Sequence, residues 1–182
     1  MQILPSLVTG GVERGAIDVT QALTAAGWRA IVLSSGGPMM HEVKRAGGLH
    51  IEFPAESKNP ITAYRNINRL VALVEEHKVD ILHARSRIPA WSALGAAHKT
   101  GVKLITTFHG NYNAGNSLKK FYNSVMVRGD LVIAISQFIG DQICDCYGVP
   151  AEKVRVVPRG ADIKYFDPAA VSPELVIQLA KA

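Results

Sequence analysis

The sequence predicts an α/β fold in which short strands alternate with helices along the whole chain. The strands are apolar runs, rich in β-branched residues, and nearly continuous in apolar character, which is typical of parallel strands covered on both faces. Segments of helical period separate them. We therefore expect a Rossmann-like parallel sheet of about seven strands with helices on both faces, the strands being Met1–Leu4, Arg29–Leu33, His50–Phe53, Asp80–His83, Lys103–Phe108, Leu131–Ile135 and Val154–Val157.

Three of the intervening segments carry an apolar stripe of helical period. The first stripe runs from Val12 to Ala26 and ends at Gly27, and the second runs from Ile61 to Val74. A shorter stripe from Ile139 to Cys146 stops at Gly148, a residue type that commonly ends helices. Strand–helix–strand alternation of this kind implies right-handed crossovers between parallel strands.

Composition excludes several classes of protein. The 182 residues are 48% hydrophobic and 19% charged, which is typical of a packed globular domain rather than a disordered chain. The net charge is +5, from 20 Lys+Arg and 15 Asp+Glu, but the cations are scattered, so nucleic acid is not an expected partner. No apolar run reaches the roughly 18 residues of a membrane span, and Met1–Pro5 lacks the pattern of a secretory signal. The two cysteines, Cys144 and Cys146, are too close in sequence for a relaxed disulfide, so the chain has no disulfide framework. Because disulfides are typical of oxidising compartments, we expect a cytoplasmic protein.

The last part of the chain differs from the rest. Pro168 and Pro173 interrupt the pattern before a final helical segment, Glu174–Ala182. We therefore expect a domain over residues 1–166, and a linker with the start of a second domain over residues 167–182. The chain would be the front half of a larger protein.

Polar residues follow several of the predicted strands at the point where each strand ends. In an open parallel sheet, ligands bind outside the carboxyl ends of the strands, near the point where strand order reverses. Residues suited to hydrogen bonding and to anions recur there, in the segments Ser6–Gly15, His83–Arg87, His109–Tyr112, Ser136–Gln137 and Arg159–Asp162. This asymmetry is the main functional signal in the pattern.

Gly10 and Gly11 open the first predicted helix. Adjacent glycines let the backbone approach a ligand closely, and the free N–H groups of a first helical turn attract an anion such as phosphate. Glu13 lies in the same turn, so a tight turn with Glu13 as a capping carboxylate is the alternative. The turn reads GGVERG and matches neither the dinucleotide nor the P-loop signature, so an NAD or ATP site is not expected here.

Two histidines and two arginines stand at the same edge. His109 follows a strand and precedes a glycine, which favours a ligand role over a structural one. His83 is similarly placed, with Arg85 and Arg87 close behind it, and paired guanidinium groups can bind carboxylate or phosphate. Either arginine could instead bridge a carboxylate at a helix terminus or between domains.

The segment Leu118–Met126 mixes Lys119 and Lys120 with aromatic residues on a helical stretch. A solvated helix face is one interpretation. The other is an interfacial helix in peripheral contact with anionic lipid, its aromatics at the level of the headgroups. The two cysteines have no partner at metal-ligand spacing and are interpreted as core thiols.

Taken together, these residues resemble the N-terminal half of a GT-B glycosyltransferase of family 4, the retaining group. The matching segments are Leu4–Glu13, Asp80–Ser86, Thr107–Gly110, Asp130–Ser136 and Val156–Asp162, followed by Phe166. They occur in the order and at the strand ends that the family shows, and the resemblance covers nearly everything from Met1 to about Asp167.

The resemblance implies a two-domain enzyme with its active site in the cleft between two Rossmann-like halves. It would move a sugar from a nucleotide-sugar donor to a glycan or lipid-linked acceptor with retention, in cell-surface polysaccharide or lipopolysaccharide synthesis. No metal or other cofactor is expected, because cationic groups and helix N-termini stabilise the departing nucleotide diphosphate. The alternatives are a GT-B-like nucleotide-sugar epimerase and a non-catalytic Rossmann-like binding domain.

The resemblance also implies roles for individual residues. His109 would face the transferred sugar as the catalytic residue. Donor binding would fall to Gly10, Gly11, Ser136 and Arg159, and acceptor binding to Glu13, His83, Arg85, Arg87 and Tyr112. The family's donor-binding Arg/Lys pair belongs to the second domain, so we expect the 182 residues alone to be inactive.

Overall fold

A computed structural model describes residues 1–112 and 115–160, together with positions 167, 171, 172, 174, 178 and 180. Most of residues 167–182, the expected linker and start of a second domain, lie outside the described residues, as do residues 161–166 of the family pattern. The strands are β1 (Gln2–Ile3), β2 (Ile31–Ser34), β3 (Leu49–Glu52), β4 (Ile81–Ala84), β5 (Lys103–Phe108), β6 (Leu131–Ala134) and β7 (Val154–Val156).

Six helices connect these strands. They are α1 (Gly11–Ala25), α2 (Met40–Arg45), α3 (Pro60–His77), α4 (Arg87–Thr100), α5 (Ser117–Asn123) and α6 (Gln137–Tyr147). Short 3₁₀ helices cover Ser124–Val127 and Ala151–Lys153.

One parallel sheet contains all seven strands, in the order β3-β2-β1-β4-β5-β6-β7. The prediction of a seven-stranded parallel sheet is thereby confirmed, and each strand ends within a residue or two of its predicted limits. Strand order reverses between β1 and β4, which is the position where such sheets bind ligands.

Helices cover both faces of the sheet, as the sequence predicts. Alternate residues of β2 show the two faces: Val32 packs with residues of α1 and α2, whereas Ile31 and Leu33 belong to the larger core cluster with Leu70 of α3 and Ile143 of α6. The larger cluster is the main source of stability, because apolar area removed from water drives folding.

The sheet is less completely covered at its margins than the apolar runs predict. The edge strand β3 leaves Leu49 44% exposed, and β7 leaves Val156 37% exposed. An edge strand has a neighbour on one side only, so the helices that cross the sheet reach it less completely.

Three details of the helices differ from the sequence predictions. Helix α4 was not predicted because it is apolar almost all round, with seven buried residues from Pro89 to Ala97, and so shows no single stripe. The six-residue helix α2 was also not predicted, because it is too short to show a helical stripe of apolar residues. On α1 the residues fully buried are Ala16, Ile17 and Thr20, so part of the predicted stripe, Val19 included, faces a cavity instead.

Candidate functional site

The first turn of α1 is held at the sheet edge by a neighbouring loop. The N–H of Leu7 donates to the carbonyl of Gly36 at 2.8 Å, and the N–H of Met39 donates to the carbonyl of Leu7 at 2.9 Å. Gly37, at φ +137°, packs directly on this loop, since a Cβ there would lie 2.3 Å from the Leu7 carbonyl oxygen. Gly10, at φ 142°, is the N-cap residue of α1 and has no side chain that could cap the helix. The N–H groups of the first turn are therefore open to an anion.

A cavity of about 170 Å³ lies between α1 and the carboxyl ends of β4, β5 and β6. It adjoins the point where strand order reverses. Its charged and polar lining comes from four segments of the chain and comprises Asp18, His83, Arg85, Thr107, His109 and Arg159.

Arg85 is a buried cation bound by neutral groups. Only 5% of its surface is exposed. Its Nε donates to Oε1 of Gln2 at 2.7 Å, and its Nη2 donates to the carbonyl of Gly15 at 3.1 Å. No ion pair with a carboxylate is seen for it within residues 1–112 and 115–160. Burial, and then the nearby Arg159 cation, lower the pKa of Arg85 from its ordinary value to about 10, against the attraction of Asp18.

Arg159 reaches across the first turns of α1 from the loop after β7. A Cβ placed on Gly11 would lie 2.6 Å from Arg159 Nη1, and one placed on Gly15 would lie 2.5 Å from Arg159 Nη2. The two glycines therefore make room for this guanidinium. Arg85 and Arg159 thus bring two positive charges to one small cavity beside an uncapped helix N-terminus.

His109 faces both arginines. Its ring nitrogens are buried and have no hydrogen-bond partner among the residues described. Burial, followed by Arg85 and Arg159, lowers the pKa of His109 from 6.5 to about 4, so the imidazole is neutral at pH 7. A buried imidazole with both nitrogens unpaired is costly unless a ligand supplies a partner.

His83 lines the same cavity as His109 and already has a hydrogen-bond partner. Its Nε2 is 2.7 Å from Oγ1 of Thr107. Burial first, and then the charges of Arg85 and His109, hold the pKa of His83 well below 6.5. With both imidazoles neutral, the two guanidinium groups dominate the charge of the cavity, which can hold an anion and present a neutral imidazole to it.

Two of the other three predicted acceptor residues, Arg87 and Tyr112, lie together in a separate aromatic cluster. The guanidinium of Arg87 stacks 4.5 Å from the ring centre of Tyr112 and 5.8 Å from that of Tyr122, and its Nη1 donates to Asn123 at 2.9 Å. Tyr112 also packs on Phe108, at 4.9 Å between ring centres. The cluster joins the loop after β5 to α5 and lines the edge of a larger cavity of about 700 Å³ beside α6.

The remaining predicted residues lie at the same sheet edge but have local roles. Ser136 begins α6, and its Oγ accepts the N–H of Ile139 at 3.3 Å. Glu13 folds back over Gly10, where an added Cβ would lie 2.7 Å from its Oε2. The structure therefore brings His83, Arg85, His109 and Arg159 into one cavity and leaves Ser136 and Glu13 outside its lining. Their assignment to donor or acceptor stays a prediction.

The sequence analysis assigned no individual role to four residues that build this site: Gln2, Gly15, Asp18 and Thr107. Thr107 could have been found, because it precedes His109 by two residues and therefore points to the same face of β5. Gly15 was also detectable, since a glycine within a helix lowers stability relative to alanine and so raises the question of a packing or functional reason. Within the described ranges no group of three or more His, Cys, Asp or Glu could hold a metal ion. The expectation that no metal is needed stays a prediction.

A family model for Glycosyltransferase Family 4 matches residues 9–165, which is most of the chain. The chain belongs to this glycosyltransferase family. It is 41% identical to a glycosyltransferase from Rickettsia africae ESF-5, with a TM-score of 0.84, and the match covers 99% of this chain and 48% of that one. This family 4 chain therefore spans about half the length of that relative, and its fold is the N-terminal half of a GT-B enzyme. No curated protein matches the chain.

More distant solved structures share the fold of this family 4 domain. Anabaena Alr3699/HepE, solved with UDP and glucose, has a TM-score of 0.79 at 19% identity, covering 99% of this chain and 48% of that one. UDP-GlcNAc 2-epimerase from Neisseria meningitidis has a TM-score of 0.57 at 13% identity, covering 86% and 45%. Both likenesses extend to the fold alone, and the epimerase has the lower TM-score of the two.

Proposed function

We propose that this domain is the acceptor-side half of an enzyme that moves a sugar from a nucleotide-sugar donor to a glycan or lipid-linked acceptor. The observation that carries the proposal is the cavity in which Arg85, Arg159 and the open first turn of α1 converge. The two guanidinium groups share the cavity with one carboxylate, Asp18, and with helix N–H groups nearby they suit a diphosphate. Arg85, which the resemblance assigned to the acceptor, is therefore proposed as a donor-binding residue. The neutral imidazole of His109 suits a sugar hydroxyl. The HepE structures with UDP and glucose, and with UDP-glucose, support this class of donor.

Transfer with retention, and a place in cell-surface polysaccharide or lipopolysaccharide synthesis, are the finer parts of the proposal. The family match supports sugar transfer. A lipopolysaccharide outer core galactosyltransferase, WaaB, also shares the fold, with a TM-score of 0.69 at 16% identity and a match covering 90% of this chain and 47% of that one. We place His109 at the transferred sugar, and Arg87 and Tyr112 on the acceptor side. The second half would supply further donor contacts, so the 182 residues alone would bind without catalysing transfer.

Binding of the diphosphate is tested on the chain itself. The 182-residue protein is titrated with inorganic pyrophosphate and with UDP, following the ring resonances of His109 by NMR. We expect both ligands to shift these resonances, and Arg159→Ala to weaken binding. Arg155→Ala is the matched control, since Arg155 is an exposed arginine of β7 that bonds to Glu152 and Val154 carbonyls. No perturbation of His109 at millimolar pyrophosphate would contradict the proposal.

Transfer itself is tested in a chimera. Residues 1–166 replace the corresponding half of the Rickettsia africae glycosyltransferase, and UDP release from nucleotide-sugars is compared with that of the parent. Proton NMR of the product reports the anomeric configuration and hence retention or inversion. A folded chimera that releases no nucleotide from any donor the parent uses would count against the proposal.

We also propose peripheral contact with an anionic membrane surface through α5. Leu118 is 81% exposed and Phe121 is 58% exposed, on either side of two lysines. Phe121 and Tyr122 line an open groove with Lys58, which lies just before α3. Exposed apolar side chains interleaved with cations suit lipid headgroups. None of the described helices is long and apolar enough to span a bilayer.

Liposome flotation tests this contact. We expect the chain to float with vesicles containing anionic lipid and not with neutral vesicles. Lys119→Glu with Lys120→Glu should abolish flotation, because it reverses the charge at the aromatic face. Lys44→Glu with Arg45→Glu on α2 is the matched control, since both residues are exposed and α2 covers the other face of the sheet. Unchanged flotation of the α5 variant would contradict the proposal.

A further inference from the structure

Gln2 is a buried amide in the middle of an apolar strand. It is 3% exposed and lies on β1 between Met1 and Ile3. Burial of an unpaired amide costs free energy, so its hydrogen bonds indicate why a polar residue stands there. Its Nε2 donates to the carbonyl of Ala16 at 2.9 Å and lies 3.0 Å from Oγ1 of Thr20, and its Oε1 accepts from Arg85.

The bonds connect Arg85 to the first turns of α1 through neutral groups only. Thr20, also fully buried, donates from its Oγ1 to the carbonyl of Ala16 at 2.8 Å. Gln2 therefore joins two residues of α1 to a guanidinium that follows β4, 83 positions away. Both the Nε2 and the Oε1 of Gln2 thus form hydrogen bonds, which restricts the Arg85 guanidinium to one orientation.

The orientation leaves one part of Arg85 for a ligand. Nε and Nη2 are occupied, whereas Nη1 has no hydrogen bond among the residues described and lies 3.4 Å from where a Cβ of Gly15 would be. Arg159 Nη2 approaches the same glycine. Because Gln2 is neutral, it orients the Arg85 cation without neutralising it. A glutamate at this position would hold the same nitrogen and cancel the charge.

We propose that Gln2 is a positioning residue, which holds Arg85 so that its free Nη1 and full charge meet an anion beside Gly15 and Arg159. This inference rests on the proposed function, because the anion would be the diphosphate of the donor. A purely structural role for Gln2 would require only that its bonds be satisfied, and would not depend on the charge of its partner.

The experiment compares Gln2→Glu and Gln2→Met with the unaltered chain, and with Thr24→Val as control. Thr24 also bonds from α1 to backbone carbonyls, including that of Ala46, but has no connection to Arg85. Affinity for inorganic pyrophosphate is measured by calorimetry, the titration of the His109 ring by NMR, and folding by circular dichroism. We expect both Gln2 variants to bind pyrophosphate about tenfold more weakly or worse, since a lost or neutralised charged hydrogen bond has that effect.

The pH titration separates positioning from packing. In Gln2→Glu the new carboxylate offsets Arg85, so the pKa of His109 should rise, whereas Thr24→Val should leave it unchanged. If the unaltered chain binds pyrophosphate and both folded Gln2 variants bind equally well with the same His109 titration, the positioning role is wrong and the proposed function stands. If the unaltered chain binds no pyrophosphate, both the positioning role and the proposed function are wrong.

If the Gln2 variants do not fold, Thr20→Val serves as the test. It removes one hydrogen bond to Gln2 and should weaken pyrophosphate binding by about twofold or more. Unchanged affinity in Thr20→Val would refute the inference.

Discussion

The lowered pKa of His109 makes the stability of the domain depend on pH in a way that can be measured. The ordinary value of 6.5 applies to the unfolded chain, and the folded chain has a value of about 4 because of burial, Arg85 and Arg159. Folding therefore favours the neutral imidazole. The stability contributed is fully present above pH 6.5, is lost as the pH falls towards 4, and changes no further below that value.

The size of the effect follows from the two pKa values. At pH 4.5 the unfolded chain carries the His109 proton almost completely, whereas only about a quarter of folded molecules do. The free energy of unfolding should thus fall by about 2.5 kcal/mol between pH 7.5 and pH 4.5 on account of this one group. His83, whose pKa is also lowered, adds a loss of the same sign.

Urea denaturation at pH 7.5 and pH 4.5 tests this reasoning in the unaltered chain and in His109→Asn. The variant cannot titrate at this position, so its stability should fall by about 2.5 kcal/mol less than that of the unaltered chain over the same interval. His41→Asn, at an exposed histidine of α2, controls for loss of an imidazole as such. An equal fall in His109→Asn and the unaltered chain, or an NMR titration of His109 near 6.5, would refute the placement of this ring beside two cations.

The remaining predictions concern the glycines and the core. Gly11→Ala should keep the fold but displace Arg159, which a Cβ would approach to 2.6 Å, and so weaken pyrophosphate binding severalfold in calorimetry. Gly37→Ala should lower the free energy of unfolding, measured by urea denaturation, by about 2–4 kcal/mol, because its Cβ would meet the Leu7 backbone and φ is +137°. Gly101→Ala, at φ +73° with open space around the added Cβ, should lower it by only about 1 kcal/mol. Leu82→Ala, in the fully buried centre of β4, should cost about 3–5 kcal/mol by the same assay. Equal losses for the two glycine variants would contradict the packing of the Gly37 loop on Leu7.

The amino-acid sequence by itself determined the sheet and the edge at which the site lies. Apolar runs are local, and once they form parallel strands their carboxyl ends must meet at one edge. His83, Arg85 and His109 could therefore be predicted to be neighbours without any coordinates. Helix α4 could not, because a helix buried on nearly all sides shows no periodic contrast between apolar and polar residues.

Only the tertiary structure decided which polar residues share a cavity and what each is bound to. Arg85 and Arg87 are two positions apart, yet one is buried on Gln2 and the other is stacked on Tyr112. The contact of Arg159 with Gly11 and the bond from Arg85 to Gln2 join residues far apart in the chain. Such contacts, and the charges and burial that depress the pKa of His109, depend on distances through space, which no local pattern of residues records.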